Sequence, residues 1–336
     1  MPSSLVPTTM QAAVVRETNG AFEIIDRPVP DTPAGHVLVR ISASGVNPLD
    51  TKIRAGLAAH AKHPLPAILG MDMAGVVVQV GVGATRFQVG DEVYGLVGGV
   101  GGLQGTLAEY VAVDEDLLAR KPKNLSQRES AALPLVSITA WEGLIDRART
   151  STGHKVLVHG GAGGVGHVAI QIARAFGADV YATAKPSQFD VVRSLGATPI
   201  DYTSSTPAEY VQAHTAGEGF DVVYDTVGGA TLDASFLSAR RYTGHVVSAL
   251  GWGTHSLAPL SFRGATYSGV FTLMPMLSGK GRAHHGEILA QVAKLVDAGQ
   301  LRPLVSTQRF TLDQAADAHA YVTGGQAVGR VVVDIA

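Results

Sequence analysis

From about residue 10 to 125 the chain repeats one pattern, a short apolar run followed by a glycine, proline or charged break. MQAAVV, AFEIIDR, HVLVRISAS, GVVVQVG, DEVYGLVGG and LAEYVAVD are runs of strand length, and together they predict an irregular, mostly β region. The pattern turns helical in NLSQRESAALPLVSITAWEGLIDRA (124–148), where Ser126 and Glu129 have the spacing of a capping box. From Lys155 strands and helices alternate. KVLVHG, ADVYATA, TPIDY, FDVVYDTVG, HVVSALG and ATYSGVF predict strands, while VGHVAIQIARAFG and FDVVRSLG predict helices. Such alternation predicts a parallel, doubly wound sheet with right-handed crossovers. Beyond about 278 the pattern gives a helix at HGEILAQVAKLVDAGQ, a second at DQAADAHAYV and a last strand at GRVVVDI. The fold class is α/β, and 336 residues suffice for about two domains at roughly 150 residues each.

Composition narrows the function. With 46% apolar and 16% charged residues the chain can bury a sizeable core. Its 40 glycines exceed the usual share of roughly 7%, which suits a chain whose backbone approaches a cofactor closely. A net charge of -2 and a pI near 6.6 give no electrostatic footprint for nucleic acid or an anionic membrane. No apolar run reaches the roughly 18 residues of a spanning helix. The first nine residues, expected to be a loose tail, lack the basic start and apolar stretch of a secretory leader, so a cytoplasmic protein is expected. Cysteine is absent, which excludes disulfides, thiolate catalysis and cysteine-ligated zinc.

The strongest local motif is VLVHGGAGGVGHVAIQIARAFGA (156–178). Gly161, Gly163 and Gly166 satisfy G-x-G-x-x-G between an apolar strand and an amphipathic helix. In that setting the glycines allow a tight turn, and the unpaired N–H groups of the helix start can receive a pyrophosphate. Gly161, Ala162, Gly163, Gly164, Val165 and Gly166 are therefore candidate cofactor contacts; the plain alternative is a glycine-rich turn without a ligand. An NAD-preferring site carries a carboxylate about 20 residues on, at the end of the second strand. Here that strand end reads Ala182-Thr183-Ala184-Lys185, with Asp179 back at its beginning. Lys185 and the missing carboxylate point to the 2′-phosphate of NADP(H).

The loop GVNPLDTKIRAG (45–56) raises the question of a metal. Read with ILGMDMAGVVVQVG, FQVGDEVYGL, GTLAEYVAVD, LPLVSITAWEGL, HGGAGGVGHVAIQIAR, RSLGATPIDY and VYDTVGG, in that order, it makes the chain resemble a medium-chain dehydrogenase/reductase from Met10 onward. The closer resemblance is to the zinc-free quinone oxidoreductase branch. It implies a GroES-like, mostly β catalytic domain at 10–129 and 278–336, a Rossmann nucleotide-binding domain at 130–277, and an active cleft between them. It also implies that Asn47 stands where zinc alcohol dehydrogenases have a ligating cysteine, and Met71 where they have a histidine. A carboxamide and a thioether are poor zinc ligands, so no metal is expected. By the same resemblance Thr139 lies against the nicotinamide and Tyr202 near the adenosine phosphate. Leu250, Val270 and Phe271 fall on backbone that contacts the nicotinamide.

Without a Lewis acid, reduction of an electrophilic acceptor is favoured over alcohol oxidation. The expected reaction is hydride transfer from NADPH to a quinone or an α,β-unsaturated carbonyl, with Asn47 donating to the oxygen where charge develops. Asp50 and Asp72 are further candidates at the site, either for chemistry or for fixing the loop. His60 and His63, in an H-x-x-H spacing, are expected to be solvated, as are His284 and His285. An enoyl-thioester (CoA or acyl-carrier) reductase is the alternative within enzymes. That branch resembles N-P-x-D followed by a loop tyrosine, which this chain lacks unless Tyr94 substitutes for it. A non-catalytic NADPH-binding structural or regulatory protein is the alternative outside them. The apolar segment 264–271, expected at a sheet edge, and the resemblance suggest a homodimer.

Overall fold

Two strand registers decide where the chemistry-bearing residues of the first part of the chain meet. The strand His36–Gly45 pairs antiparallel with Val332–Asp334, with Val332 opposite Gly45, and with Asp72–Val80, with Gly45 opposite Asp72. Residues two beyond Gly45 and two before Val332 are therefore brought together beside Asp72. The structure, a computed structural model, describes residues 6–335. The first five residues of the expected tail lie outside that range, and Thr9 already begins a strand.

The chain divides into two compact units. One comprises Met1–Leu135, Leu273–Asp297 and Pro303–Ala336, and the other Val136–Thr272 with Ala298–Arg302. In the first, a seven-stranded sheet runs in the order Phe310–Thr311, Val332–Asp334, His36–Gly45, Asp72–Val80, Glu92–Leu96 and Leu118–Arg120, with Tyr110–Asp114 paired to His36–Gly45. A three-stranded sheet places Thr9–Val15 between Phe22–Pro28 and Ala67–Ile68. Branched side chains alternating along these strands bury Val37, Val39, Ile41, Val77 and Val93. This is the mostly β, GroES-like part expected from the sequence.

The second unit holds six parallel strands. Counted along the chain as Lys155–His159, Asp179–Ala184, Thr198–Asp201, Val222–Asp225, His245–Ser248 and Thr266–Gly269, their spatial order is 3-2-1-4-5-6. That is the doubly wound arrangement, whose ligand crevice opens at the carboxyl ends of the first and fourth strands. The last strand, Thr266–Gly269, has one neighbour and lies at the sheet edge.

Two expectations are corrected. The helix over 124–148 is broken into Gln127–Ala131, Pro134–Trp141 and a π-helical turn at Glu142–Arg147. Pro134 has no N–H to continue the first piece. At the wide turn, Gly143 admits the Tyr224 ring, because a Cβ there would stand 2.8 Å from two ring carbons. The Ser126–Glu129 capping box is present, with Ser126 N donating to Glu129 Oε2 at 2.8 Å and Glu129 N donating to Ser126 Oγ at 3.2 Å. His285 is fully buried rather than solvated, because the helix Arg282–Asp297 turns it inward along with Ile288, Leu289, Val292 and Val296. His284 remains on the exposed side.

Tyr94 belongs to this packing. It is fully buried, and its hydroxyl donates to the Leu289 carbonyl at 2.6 Å. Tyr94→Phe should lower unfolding stability by about 1 kcal/mol in urea titrations while leaving turnover unchanged. Lost turnover at unchanged stability would make it a proton donor after all.

Candidate active site

The glycine turn follows from close packing at the end of the first parallel strand. Gly160 adopts φ +72°, and Gly163 N donates to its carbonyl at 2.9 Å. A Cβ on Gly166 would come within 2.1 Å of that same oxygen, and one on Gly161 within 2.6 Å of the Ala182 methyl. Only glycine fits either position. The turn leads into the helix Gly166–Ala175, with Gly163 and Gly164 exposed ahead of it. Thr183 tightens the turn from the second strand: its hydroxyl accepts from Gly160 N at 3.1 Å and meets His159 Nδ1 at 3.1 Å.

A cavity of about 500 Å³ opens over this turn. Its wall brings together Gly160, Ala162, Gly163, Lys185, Tyr202 and Ser205, with Tyr210 and Gln188 also lining it. Four candidates from widely separated motifs thus share one cavity, and Lys185 and Tyr202 are exposed on it. No carboxylate lines it. His159 lies against it with its ring buried, and desolvation holds the imidazole down at about 4, so it is neutral at ordinary pH.

The remaining candidates of this unit form a second group at the other sheet end strands. Val270 N donates to Ser248 O at 2.9 Å, and Leu250 N donates to the Ser248 hydroxyl at 3.1 Å. That hydroxyl donates to buried Asp225 at 2.7 Å, and Asp225 also accepts from Val227 N and Gly228 N. Thr139 reaches the same segment through Thr272, the residue after Phe271, with their hydroxyl oxygens 2.9 Å apart. Thr139, Leu250, Val270 and Phe271 do not line the cavity.

In the first unit the two registers gather Asn47, Asp50, Asp72 and Arg330, none more than 5% exposed. Arg330 donates from one terminal nitrogen to Asn47 Oδ1 at 2.7 Å and Asp72 Oδ2 at 3.2 Å, and from Nε to the Ala132 carbonyl at 3.1 Å. Asn47 Nδ2 donates to Asp72 Oδ2 at 3.0 Å, and Leu135 N to Asp72 Oδ1 at 2.8 Å. Asp50, at the third position of the helix Pro48–Arg54, accepts from Asn47 N at 2.7 Å. Gly45 is obligatory behind the cluster, since a Cβ there would lie 2.2 Å from Ala131 O. His63 is half-buried against the Ile68 carbonyl, and His60 is exposed in a neighbouring single turn.

Known proteins match this layout. Residues 33–123 fit the family described as alcohol dehydrogenase GroES-like domain, and residues 195–333 the family described as zinc-binding dehydrogenase. Over 313 residues the chain is 38% identical to a 2-methylene-furan-3-one reductase of Solanum lycopersicum and 36% identical to an NADPH-dependent alkenal/one oxidoreductase of Arabidopsis thaliana. Each alignment covers 91% of this chain and 73% of the relative. A crystal structure of an alcohol dehydrogenase superfamily protein from Novosphingobium aromaticivorans is 56% identical, with a TM-score of 0.96 and coverage of 98% and 100%. The chain belongs to the medium-chain dehydrogenase/reductase superfamily, in its quinone oxidoreductase-like branch.

For a medium-chain dehydrogenase/reductase the question of zinc turns on the donor chemistry of Asn47, Met71 and Asp72. The Asn47 amide oxygen and an Asp72 oxygen already accept from a guanidinium, and Met71 is a fully buried thioether. These residues do not fit a zinc ion, which wants thiolate, imidazole or carboxylate lone pairs. Dinucleotide is different: the glycine-only turn, the helix start and the cavity fit it.

Sequence reasoning did not find Arg330. A lone arginine before a terminal strand carries no local signal, and only the long-range register places it. Ser205, Gln188 and Tyr210 were missed as cavity residues for the same reason.

Burial pushes the Asp50 carboxyl from an ordinary 3.8 to about 7, with the Asp72 charge adding to the rise, and burial lifts Asp72 to about 6 against the pull of Arg330. Both groups bind protons more tightly folded than unfolded. Their contribution to stability is therefore complete below the ordinary value and is lost as pH rises toward 7. In urea unfolding, Asp50→Asn should gain on the parent by up to about 1.4 kcal/mol per pH unit between pH 4 and 7. A pH-independent difference would contradict the buried titration. Arg330→Met should cost about 3–5 kcal/mol, because it strands the Asp72 carboxylate.

Proposed function

We propose that this protein is a zinc-independent oxidoreductase that reduces quinones and α,β-unsaturated carbonyls with NADPH. The observation that carries the reading is the cavity in which the glycine turn, Lys185 and Tyr202 meet with no carboxylate. The named activities of the tomato and Arabidopsis relatives support the same chemistry.

Gly161, Ala162, Gly163, Gly164, Val165 and Gly166 would hold the pyrophosphate through backbone N–H groups. Lys185 would face the 2′-phosphate, and Tyr202 the adenosine end. Thr139, Leu250, Val270 and Phe271 would fix the nicotinamide end. When bound, NADPH supplies the hydride; the protein orients the partners and keeps water away. Asn47 keeps a second amide hydrogen beyond the one given to Asp72, and this is the donor proposed for the acceptor's oxygen. Asp50 and Asp72 act through Asn47, by fixing its backbone and its amide. The domain limits 10–129 with 278–336, and 130–277, are kept as the functional division. A cytoplasmic homodimer joined through the edge segment 264–271 completes the reading; among the described residues no helix is long and apolar enough to cross a membrane.

Lys185→Ala should weaken NADPH binding by at least about tenfold and leave NADH binding nearly unchanged, since one charge-assisted contact is worth about 1.5–3 kcal/mol. Fluorescence titration measures both, and parallel losses would remove the 2′-phosphate assignment. A panel of quinones, enones and enoyl thioesters, followed by NADPH oxidation, tests the reaction. Turnover restricted to thioesters would favour the alternative reductase, and binding without any turnover would favour a non-catalytic protein. Asn47→Ala should lower kcat with NADPH affinity unchanged; an unaltered kcat would exclude Asn47 as the donor.

A further inference from the structure

The loop after the fifth parallel strand is tied down by side chains rather than by its backbone. It runs from Ala249 to Leu257, between the strand His245–Ser248 and the short helix Ala258–Ser261. Among the described residues, Gly251, Gly253 and Thr254 give their N–H groups to no backbone carbonyl, and Gly253 sits at φ +109°. Two glycines leave this segment conformationally free. Two side chains hold it. The Trp252 ring meets Phe271 edge to face at 6.1 Å, although Trp252 remains 54% exposed. His255 reaches across to the helix Ala230–Ser238, where its Nδ1 lies 2.9 Å from Asp233 Oδ1. That helix is a wall of the cavity, which Ala230, Thr231 and Ala234 line.

Both ring nitrogens of His255 face oxygens. Nδ1 meets the Asp233 carboxylate, and Nε2 lies 3.4 Å from the Trp252 carbonyl. A neutral imidazole has one N–H, whereas the imidazolium has one for each oxygen. The charges around the ring favour the cation too. Asp233 faces it from the helix, and Asp225 from the end of the strand Val222–Asp225. Phe236 stands edge-on to it at 6.4 Å. The Tyr267 phenol packs behind Gly251 and stays neutral, since burial and the Asp225 charge both raise it. The hydrogen bond to Asp233 holds the imidazole above its ordinary 6.5, against the desolvation of the ring. The tied loop therefore binds this proton more tightly than a free one. Its hold is complete below 6.5 and is lost as pH rises through the higher folded value.

We propose that His255 and Asp233 form a proton-controlled latch that pins the loop 249–257 to a wall of the cavity. With the imidazolium present, the loop is closed on the helix. Loss of the proton leaves one of the two oxygens without a hydrogen and removes the attraction to Asp233. The segment then moves about Gly251 and Gly253, and Trp252 leaves Phe271. The latch works without any bound ligand, so it is independent of the reductase reading.

Fluorine NMR of the full-length protein labelled with 5-fluorotryptophan reads the loop directly. The chain has two tryptophans, and Trp252→Phe assigns the signal that belongs to the loop. In the parent that signal should move toward the position of the free amino acid as pH rises, with a midpoint above 6.5. Asp233→Asn should bring the midpoint to 6.5 or below, and His255→Gln should abolish the transition. Because the Asp233 side chain is 56% exposed, about 1 M salt should also lower the parental midpoint. Proton NMR of the histidine ring hydrogens, assigned with His255→Gln, follows the imidazole itself. A Trp252 signal that stays fixed between about pH 5.5 and 8.5 while His255 titrates would overturn the latch. Equal midpoints in the parent and Asp233→Asn would overturn it as well.

Discussion

One buried guanidinium organises the catalytic-domain side of this protein. Arg330 is shared between Asn47 and Asp72, and it reaches them only because the last strand returns beside His36–Gly45. A buried cation without partners is costly, and so is a buried carboxylate, so the two stabilise each other only while all of the hydrogen bonds are kept. The loop that carries Asn47 is thereby tied to both ends of the chain. The same ion bears on why the site does not fit zinc: Asn47 Oδ1 and Asp72 Oδ2 already accept from a positive partner.

The second constraint is steric rather than electrostatic. At the glycine turn, the helix starting at Gly166 packs so close to Gly160 O that no side chain fits between them. That approach brings the helix start to the end of the first strand, where its N–H groups would receive a phosphate. Lys185 and Tyr202 come to the same cavity from the ends of the next strands. On the proposed reading, cofactor selection and cofactor binding are separable, one resting on a charge at the second strand and the other on backbone.

What the sequence reveals depends on how local the cause is. The glycine turn, the Ser126–Glu129 cap and the strand–helix alternation are set by residues within a few positions, and all are legible. Arg330 and Asn47 are 283 positions apart, and no local pattern joins them. The π-turn at Glu142 is equally hidden, because the Tyr224 ring packed against Gly143 comes from a distant strand. His285 is a different case. Its spacing to Ile288, Leu289 and Val292 is that of a buried helix face, so the signal was present and the two adjacent histidines masked it.

On the proposed reading, a guanidinium-centred polar cluster serves a reductase that needs no metal. The most direct measurement is elemental analysis of the purified protein alongside NADPH-dependent enone reduction before and after exhaustive chelation. Substoichiometric zinc and unchanged turnover after chelation are expected. One zinc per chain, or activity lost on chelation and restored by added zinc, would contradict it.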